Sequence, residues 1–363
     1  MSADYPSMTT AEIRSKFLNF FEERGLKLYP SSSLVPDDPS LLLANAGMNQ
    51  FKEYYQGKKT MKEIGAISCQ KCVRTNDIDC IGEDGRHLSF FEMLGDFSFG
   101  GVSKQQACAW AFELITKEFK LPLDRLYFTV FTEDDETHDV WRSLGVAEDH
   151  ISRLGEDDNF WAAGPTGPCG PCSEIYFDMG EEVGCGSPDC KPGCDCDRFL
   201  EFWNLVFTQY DRQEDGSMPE LPHRNLDTGM GLERMAAIMQ HKTANYDGDL
   251  MQHLIKLGEE ISGKTYDFGT DGILKNGSKT SSSSDSVLTA PLDGLKWGMS
   301  QEQVIKKGGF KSYYAQDSLL MVADSEPYAY YVFNADDELC AVGYAETYSA
   351  SALKKYKGYF TSD

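Results

Sequence analysis

Over residues 9–25, TTAEIRSKFLNFFEERG, the apolar side chains Ile13, Phe17, Phe20 and Phe21 recur every three to four positions. That spacing predicts an amphipathic opening helix with Thr9 or Thr10 as N-cap and Gly25 as stop. From Leu28 to about Phe99 the pattern shortens: apolar segments such as SSSLVPDDPSLLLANAGMNQF and HLSFFEMLGDFSF are broken by Gly, Pro, Asn and Asp. This predicts antiparallel sheet with long connections. Helix returns at 104–118, and RLYFTVFTE (125–133) reads as strand. In FLEFWNLVFTQYDRQ, Phe199, Phe202, Trp203, Val206 and Phe207 are too dense for a surface strand, so a further, buried sheet segment is expected. LERMAAIMQH and MQHLIKLGEEISG then predict two helices.

After Thr265 the texture changes. DFGTDGILKNGSKTSSSSDS is rich in Gly, Ser and Thr, lacks periodicity and reads as linker. Beyond it, LKWGMSQEQVIKKGG is a short helix whose Ser300 and Gln303 match a capping box. LLMVADS, YAYYVFNAD and ELCAVGYAET alternate like three meandering strands, and SALKKYKGYF is expected to close as a helix. The expected organisation is therefore a domain over 1–265, a linker over 266–289 and a small α/β domain over 290–363, with no internal repeat.

Composition adds limits. A chain of 363 residues exceeds what one core normally serves. Its start lacks the basic flank and apolar core of a signal peptide, and no apolar run approaches the ~18 residues of a membrane span, so a cytoplasmic protein without membrane contact is expected. A net charge of -24 opposes binding to a polyanion, and any RNA contact would need a local basic patch. Neither KKYKG near the C-terminus nor the run Lys58 to Lys62 stands out as one.

Two stretches can carry chemistry. ISCQKCVRTNDIDCIGEDGRHLSFFEMLGDFSFG (67–100) is a strand ending in Arg74, a polar loop, and an aromatic strand ending in glycines. An arginine held on a sheet can grip a phosphate or carboxylate bidentately while aromatic faces stack on a base; a structural ion pair would use the same residue. In LDTGMGLERMAAIM (226–239), two glycines let the backbone approach a ligand and the following helix presents Arg234; a plain strand-to-helix turn remains the alternative.

In this order the two stretches resemble motifs 2 and 3 of class II aminoacyl-tRNA synthetases, and the wording resembles the alanyl enzymes. SSSLVPDDPSLLLANAGMNQFK, QKCVRTNDID, RHLSFFEMLGDFSFG, NFWAAGPTGPCGPCSEIYFD, FWNLVFTQYDRQ and LDTGMGLER carry the likeness, which runs from Thr10 to about Tyr266. The resemblance implies an α+β fold, an antiparallel sheet flanked by helices, and attack of the alanine carboxylate on the α-phosphorus of ATP. It assigns Arg74 to the α-phosphate and alanine carboxylate, and Arg234 to the adenine face and γ-phosphate. Phe90 or Phe91 would stack on the base, with Arg86 and His87 near the β- and γ-phosphates. Asp227, assisted by Asn204, would take the ammonium of L-alanine; Trp161, Val206 and Gly229 would box its methyl. Glu201 is the candidate for Mg²⁺ bound through ATP oxygens.

Such a pocket separates alanine from glycine by only about 1–3 kcal/mol and rejects serine poorly. Members of the family therefore usually carry a separate zinc-dependent editing domain, and here no His-rich motif follows Tyr266. The helical domain that reads the acceptor stem is also missing from the pattern, so transfer to tRNA(Ala) is expected to be inefficient. Activation for a non-tRNA acceptor, or a non-catalytic ATP- and alanine-binding regulator, are the alternatives. Where the family usually reads GNFSFGDYFK, this chain has GDFSFGGVSK (95–104): Asp96 replaces asparagine, and Gly101, Val102 and Ser103 replace an acidic-aromatic element. The C-terminal domain faintly resembles small modules of bacterial envelope lipoproteins and implies no chemistry.

Of 11 cysteines, six fall between Cys169 and Cys196. Cys185, Cys190, Cys194 and Cys196, on Gly/Pro-rich turns, could hold a structural Zn²⁺; a solvent-exposed loop of reduced thiols is the alternative. Cys169 and Cys172 have the spacing of a zinc half-site but recur in relatives that lack the second cluster.

Overall fold

A computed structural model of the chain describes residues 5–36, 41–75, 81, 84–162 and 166–262, with the segments 264–268, 274–279, 299–308, 310, 313–316, 319–322, 328–333, 339–345 and 357–360. Helix α1 (Thr10–Glu22) starts where the pattern places it: the Thr9 hydroxyl accepts from the Glu12 N–H, and the Glu12 carboxylate accepts from the Thr9 N–H. Then follow β1 (Lys27–Leu28), α2 (Lys52–Tyr55), β2 (Ala66–Val73) and β3 (Phe90–Phe99). Much of the described connection before β2 is loop rather than strand, where side chains serve the backbone in place of a ladder: the Ser33 hydroxyl accepts from the Val35 N–H, and the Asn49 Oδ1 from the Asn45 and Ala46 N–H groups. Helix α3 (Lys104–Glu113) continues through a wider turn over Leu114–Glu118.

Beyond it come β4 (Leu126–Phe131), α4 (Asp135–Ser143), β5 (Ile151–Leu154), α5 (Glu156–Asn159), β6 (Phe160–Ala162), β7 (Gly167–Asp178), β8 (Phe199–Arg212), β9 (Glu220–Gly231), α6 (Leu232–Met239) and α7 (Asp249–Ser262). Nine strands form one sheet in the order β1-β2-β3-β9-β8-β7-β4-β5, with β6 on β7. The pairings are antiparallel except β1 with β2 and β4 with β5. One face packs on α1, α3 and α6: Phe17 and Phe21 meet Trp203 of β8 edge-on, inside a core that includes Ile13, Leu226, Met230 and Met235. A smaller cluster of Met48, Phe51, Tyr55, Ala66 and Phe97 lies apart from that core, with Trp161 against it. Among the described residues no helix is long and apolar enough to cross a membrane.

The chain divides into two units, Met1–Gln252 with Phe268–Lys275, and His253–Asp267 with Asn276–Asp363. The stretch read as linker carries two paired strands, β10 (Lys264–Phe268) and β11 (Leu274–Lys279); the rest of it lies outside the described residues. Helix α8 (Gln301–Gly308) has the anticipated capping box, Ser300 N–H to Gln303 at 3.1 Å and Gln303 N–H to the Ser300 hydroxyl at 3.3 Å. The meander follows: β12 (Tyr313–Gln316), β13 (Leu319–Val322), β14 (Tyr328–Phe333) and β15 (Leu339–Ala345), all antiparallel. Of the closing helix expected over 351–360, residues 351–356 lie outside the described residues. Its described part is a strand, β16 (Lys357–Phe360), paired with β15. Glycine weakens helix here, and the aromatic pair that follows suits a pleated strand completing a sheet edge.

Candidate functional site

Strand alternation sorts the central sheet into two faces. On β9, Leu226 and Met230 enter the helix-backed core, whereas Asp227, Gly229 and Gly231 line a cavity of about 320 Å³. On β3, Leu94 is in the core and Phe91 and Met93 line the cavity. On β8, Trp203, Leu205 and Phe207 point inward, while Asn204 and Val206 face the cavity. Asp227 stands directly across from Val206, and Asn204 lies between Gly229 on one neighbouring strand and Glu174 on the other. Trp161, on β6, closes the same side. A Cβ on Gly229 would lie 2.9 Å from the Met93 sulfur, so any larger residue there would have to displace that side chain within the cavity.

Basic side chains line the cavity as well. The Arg74 Nε donates to the Asn45 carbonyl at 3.2 Å, and its guanidinium lies 5.2 Å from the centre of the Phe91 ring. Arg234 is tied to Glu201, donating to its carbonyl at 2.7 Å and its carboxylate at 3.0 Å. Arg86 and His87 line the cavity as well. Phe90 does not: it is 46% exposed, because the β2–β3 register puts it one residue out of phase with Phe91.

Asp227, Asp96 and Glu174 hold their protons unusually tightly. Burial, reinforced by the nearby Asp96 carboxylate, pushes Asp227 up to about 8. Asp96 is itself buried, raised to about 7 by burial, with the Thr228 hydroxyl donating to it. Glu174, which the sequence reading passed over, is raised to about 8 by burial and by the charge of Glu201. It accepts from the Tyr176 hydroxyl at 2.5 Å and from the Asn204 Nδ2 at 3.3 Å. That second bond fixes the Asn204 amide, whose Oδ1 is buried with no hydrogen-bond partner among the described residues. Asn204 and Asp227 both line the cavity, and side chains of this kind can accept from a donor that a ligand supplies. The site can therefore hold a cationic group beside Asp227 and anionic groups between Arg74, Arg86 and Arg234.

The sulfur atoms of Cys185, Cys190, Cys194 and Cys196 lie within 4.8 Å of one another, an arrangement that could hold a metal ion. Burial works against ionisation of Cys196, but N–H donors from Arg198 and Cys185 bring its thiol down to about 7. Cys169 and Cys172 sit elsewhere, buried in β7 with their pKa values raised mainly by burial. The Gly170 between them answers to packing: a Cβ there would fall 2.1 Å from the Phe207 carbonyl.

Residues 12–287 match the family described as tRNA synthetases class II (A). Among curated relatives, the alanine–tRNA ligase of Desulfosudis oleivorans is 52% identical over 265 residues, which is 71% of this chain and 30% of that protein. That of Clostridioides difficile is 50% identical over 257 residues, 70% of this chain and 29% of that protein. That of Idiomarina loihiensis is 52% identical over 263 residues, 71% of this chain and 30% of that protein. The chain thus spans about 30% of the length of the curated relatives it matches.

Proposed function

The chain belongs to the class II (A) tRNA synthetase family, and from that premise we propose that its cavity binds ATP and L-alanine, forms alanyl adenylate and passes the alanyl group to tRNA(Ala). The observation that carries this reading is a single cavity lined by the Asp227 carboxylate and the Asn204 amide together with the guanidinium groups of Arg74 and Arg234. An α-ammonium fits the first pair, a methyl fits between Trp161 and Val206, and polyphosphate fits the arginines.

In the reaction an alanine carboxylate oxygen forms a bond to the α-phosphorus while the bond to the bridging oxygen breaks, and the electron pair leaves with pyrophosphate. The attacking carboxylate is already ionised, so no general base is required. Negative charge develops on phosphate oxygens, and fixed guanidinium groups lower that barrier. Arg74 holds the α-phosphate against the carboxylate; Arg234, pinned by Glu201, covers the adenine that Phe91 stacks from the other side. Glu201 offers hard oxygen ligands suited to Mg²⁺ carried by ATP, which would offset charge on the phosphates. Four clustered thiols suit Zn²⁺ as the metal of the cysteine-rich segment.

Alanine-dependent exchange of pyrophosphate into ATP, followed by charging of tRNA(Ala), tests the reading. Exchange with charging supports it in full. A net charge of -24 favours a second reading, in which the acceptor is something other than RNA; exchange without charging is its signature. Absence of exchange leaves a binding protein.

The Asp96 carboxylate makes a separate prediction. The ammonium pairs with ionised Asp227, whose proton is held to about 8 by burial and by Asp96, so the KM for alanine should fall as pH rises through that value. Asp96→Asn keeps an acceptor for the Thr228 hydroxyl and removes the neighbouring charge, so the fall should move to lower pH. A KM profile unchanged from the parent chain would show that Asp96 does not act on Asp227.

A further inference from the structure

Arg86 stands between the nucleotide end of the cavity and the thiol cluster. Its Nη1 donates to the Cys196 carbonyl at 3.1 Å and its Nη2 to the Asp195 carbonyl at 2.8 Å, while its side chain also lines the cavity. From its own side it is braced by Asp84, which accepts from the Arg86 N–H at 3.0 Å, and by Asn245, whose Nδ2 donates to the Arg86 carbonyl at 2.8 Å. Asp197 lies 3.7 Å from its Nη1. The two carbonyls that hold the guanidinium belong to one cluster cysteine and its neighbour.

The stretch 184–198 forms neither helix nor strand, so no backbone ladder fixes those carbonyls. Inside it the sulfurs are close, Cys190 and Cys196 at 3.4 Å and Cys185 and Cys194 at 3.8 Å, while Arg198 at its end is held by both carboxylate oxygens of Asp178. A metal bound by four thiolates would convert these contacts into bonds, and groups around a metal site are held in place by it as much as they hold it.

We infer that the cysteine-rich segment is a metal-set support for Arg86: a soft divalent ion on Cys185, Cys190, Cys194 and Cys196 fixes the Asp195 and Cys196 carbonyls, which hold the guanidinium where the distal phosphates of a nucleoside triphosphate lie. Arg86 is the binding residue and the cluster acts through it. The inference rests on the ATP reading above. It differs from a purely structural role for the metal in one respect: occupancy should matter for a triphosphate and hardly at all for a nucleoside monophosphate or for alanine, which have no group at that end.

The test uses the full chain, loaded with Zn²⁺ or stripped with a chelator, and calorimetric dissociation constants for ATP, AMP and L-alanine. Stripping should weaken ATP roughly tenfold, the loss expected when one charged hydrogen-bonding group is no longer positioned, and leave AMP and alanine within about twofold. Arg86→Ala, kept zinc-loaded, should weaken ATP to the same degree and should make ATP affinity indifferent to the metal. If the stripped chains unfold, zinc-loaded Arg86→Ala that binds ATP as tightly as the zinc-loaded parent chain still overturns the inference. Equal ATP affinity with and without zinc, a metal effect that persists in Arg86→Ala, or failure to bind one zinc per chain would each overturn the inference. Equal binding of ATP in the two states sinks the coupling alone, whereas no ATP binding in either state sinks the nucleotide reading and the coupling with it.

Discussion

Asp227→Asn should all but abolish alanine-dependent exchange of pyrophosphate into ATP while leaving ATP binding intact. The carboxylate is 8% exposed, and nothing among the described residues supplies it a counter-charge. Replacing it by a neutral amide of the same shape leaves the alanine ammonium buried and unpaired, which costs about 2–5 kcal/mol, a loss of roughly 30- to several-thousand-fold in kcat/KM for alanine. The same variant should be more stable than the parent chain at alkaline pH. A carboxyl whose folded-state pKa lies near 8 keeps a proton that the unfolded chain releases near 4, so folding stability declines as pH rises between those values. Asparagine has no such proton to lose. Thermal melts at about pH 5 and pH 8.5 would reveal the difference: the gap in Tm between the two should be narrower in the variant. Loss of exchange together with gain of alkaline stability is the mark of a group kept for binding at the expense of the fold. An alanine requirement and KM equal to the parent's would remove Asp227 from the ammonium site.

Asp227 was singled out through the resemblance to the alanyl enzymes, and the passage that carries that resemblance is local in sequence. LDTGMGLER places carboxylate, glycines and arginine within one strand-to-helix passage, and the helix pattern after it is strong. The same holds for α1, where Ile13, Phe17, Phe20 and Phe21 fix the buried stripe. The misses share a cause in non-local pairing. Whether Phe90 or Phe91 enters the cavity depends on β2 and β3 aligning Cys72 with Phe91, and a shift of one residue exchanges the two. Glu174 was hidden because β7 opens with Gly-Pro-Cys-Gly-Pro-Cys, which shows no alternation and draws attention to its thiols; only pairing with β8 puts Glu174 against Asn204. The segment Gly101 to Ser103 departs from the usual wording of the family. In the fold Val102 is buried, and the Ser103 hydroxyl caps α3 by accepting from the Gln106 N–H at 3.2 Å, so the altered residues still do structural work there.

The next residue carries the second large effect, on stability: Lys104→Met should destabilise the chain by about 3–5 kcal/mol and lower Tm by roughly 10 °C. Lys104 and Asp134 are each only 6% exposed, and the ammonium contacts both carboxylate oxygens, at 2.9 and 2.8 Å. Asp134 also caps α4, accepting from the Thr137 N–H at 3.1 Å and its hydroxyl at 2.6 Å. The ammonium lies 4.8 Å from the centre of the Phe207 ring on β8, so the pair joins α3, α4 and the sheet. Methionine retains most of the aliphatic volume, and the loss is therefore the bare carboxylate left behind rather than a cavity. The exposed Glu136, 3.6 Å from the same ammonium, remains solvated without it. Adding Asp134→Asn to Lys104→Met should recover a substantial part of the deficit, because asparagine still caps the helix but buries no charge. If Lys104→Met alone melts within a degree or two of the parent chain, the pair contributes no more than a surface ion pair does. If the double variant is no better than the single, the deficit lies in packing against Phe207 and not in the unpaired carboxylate.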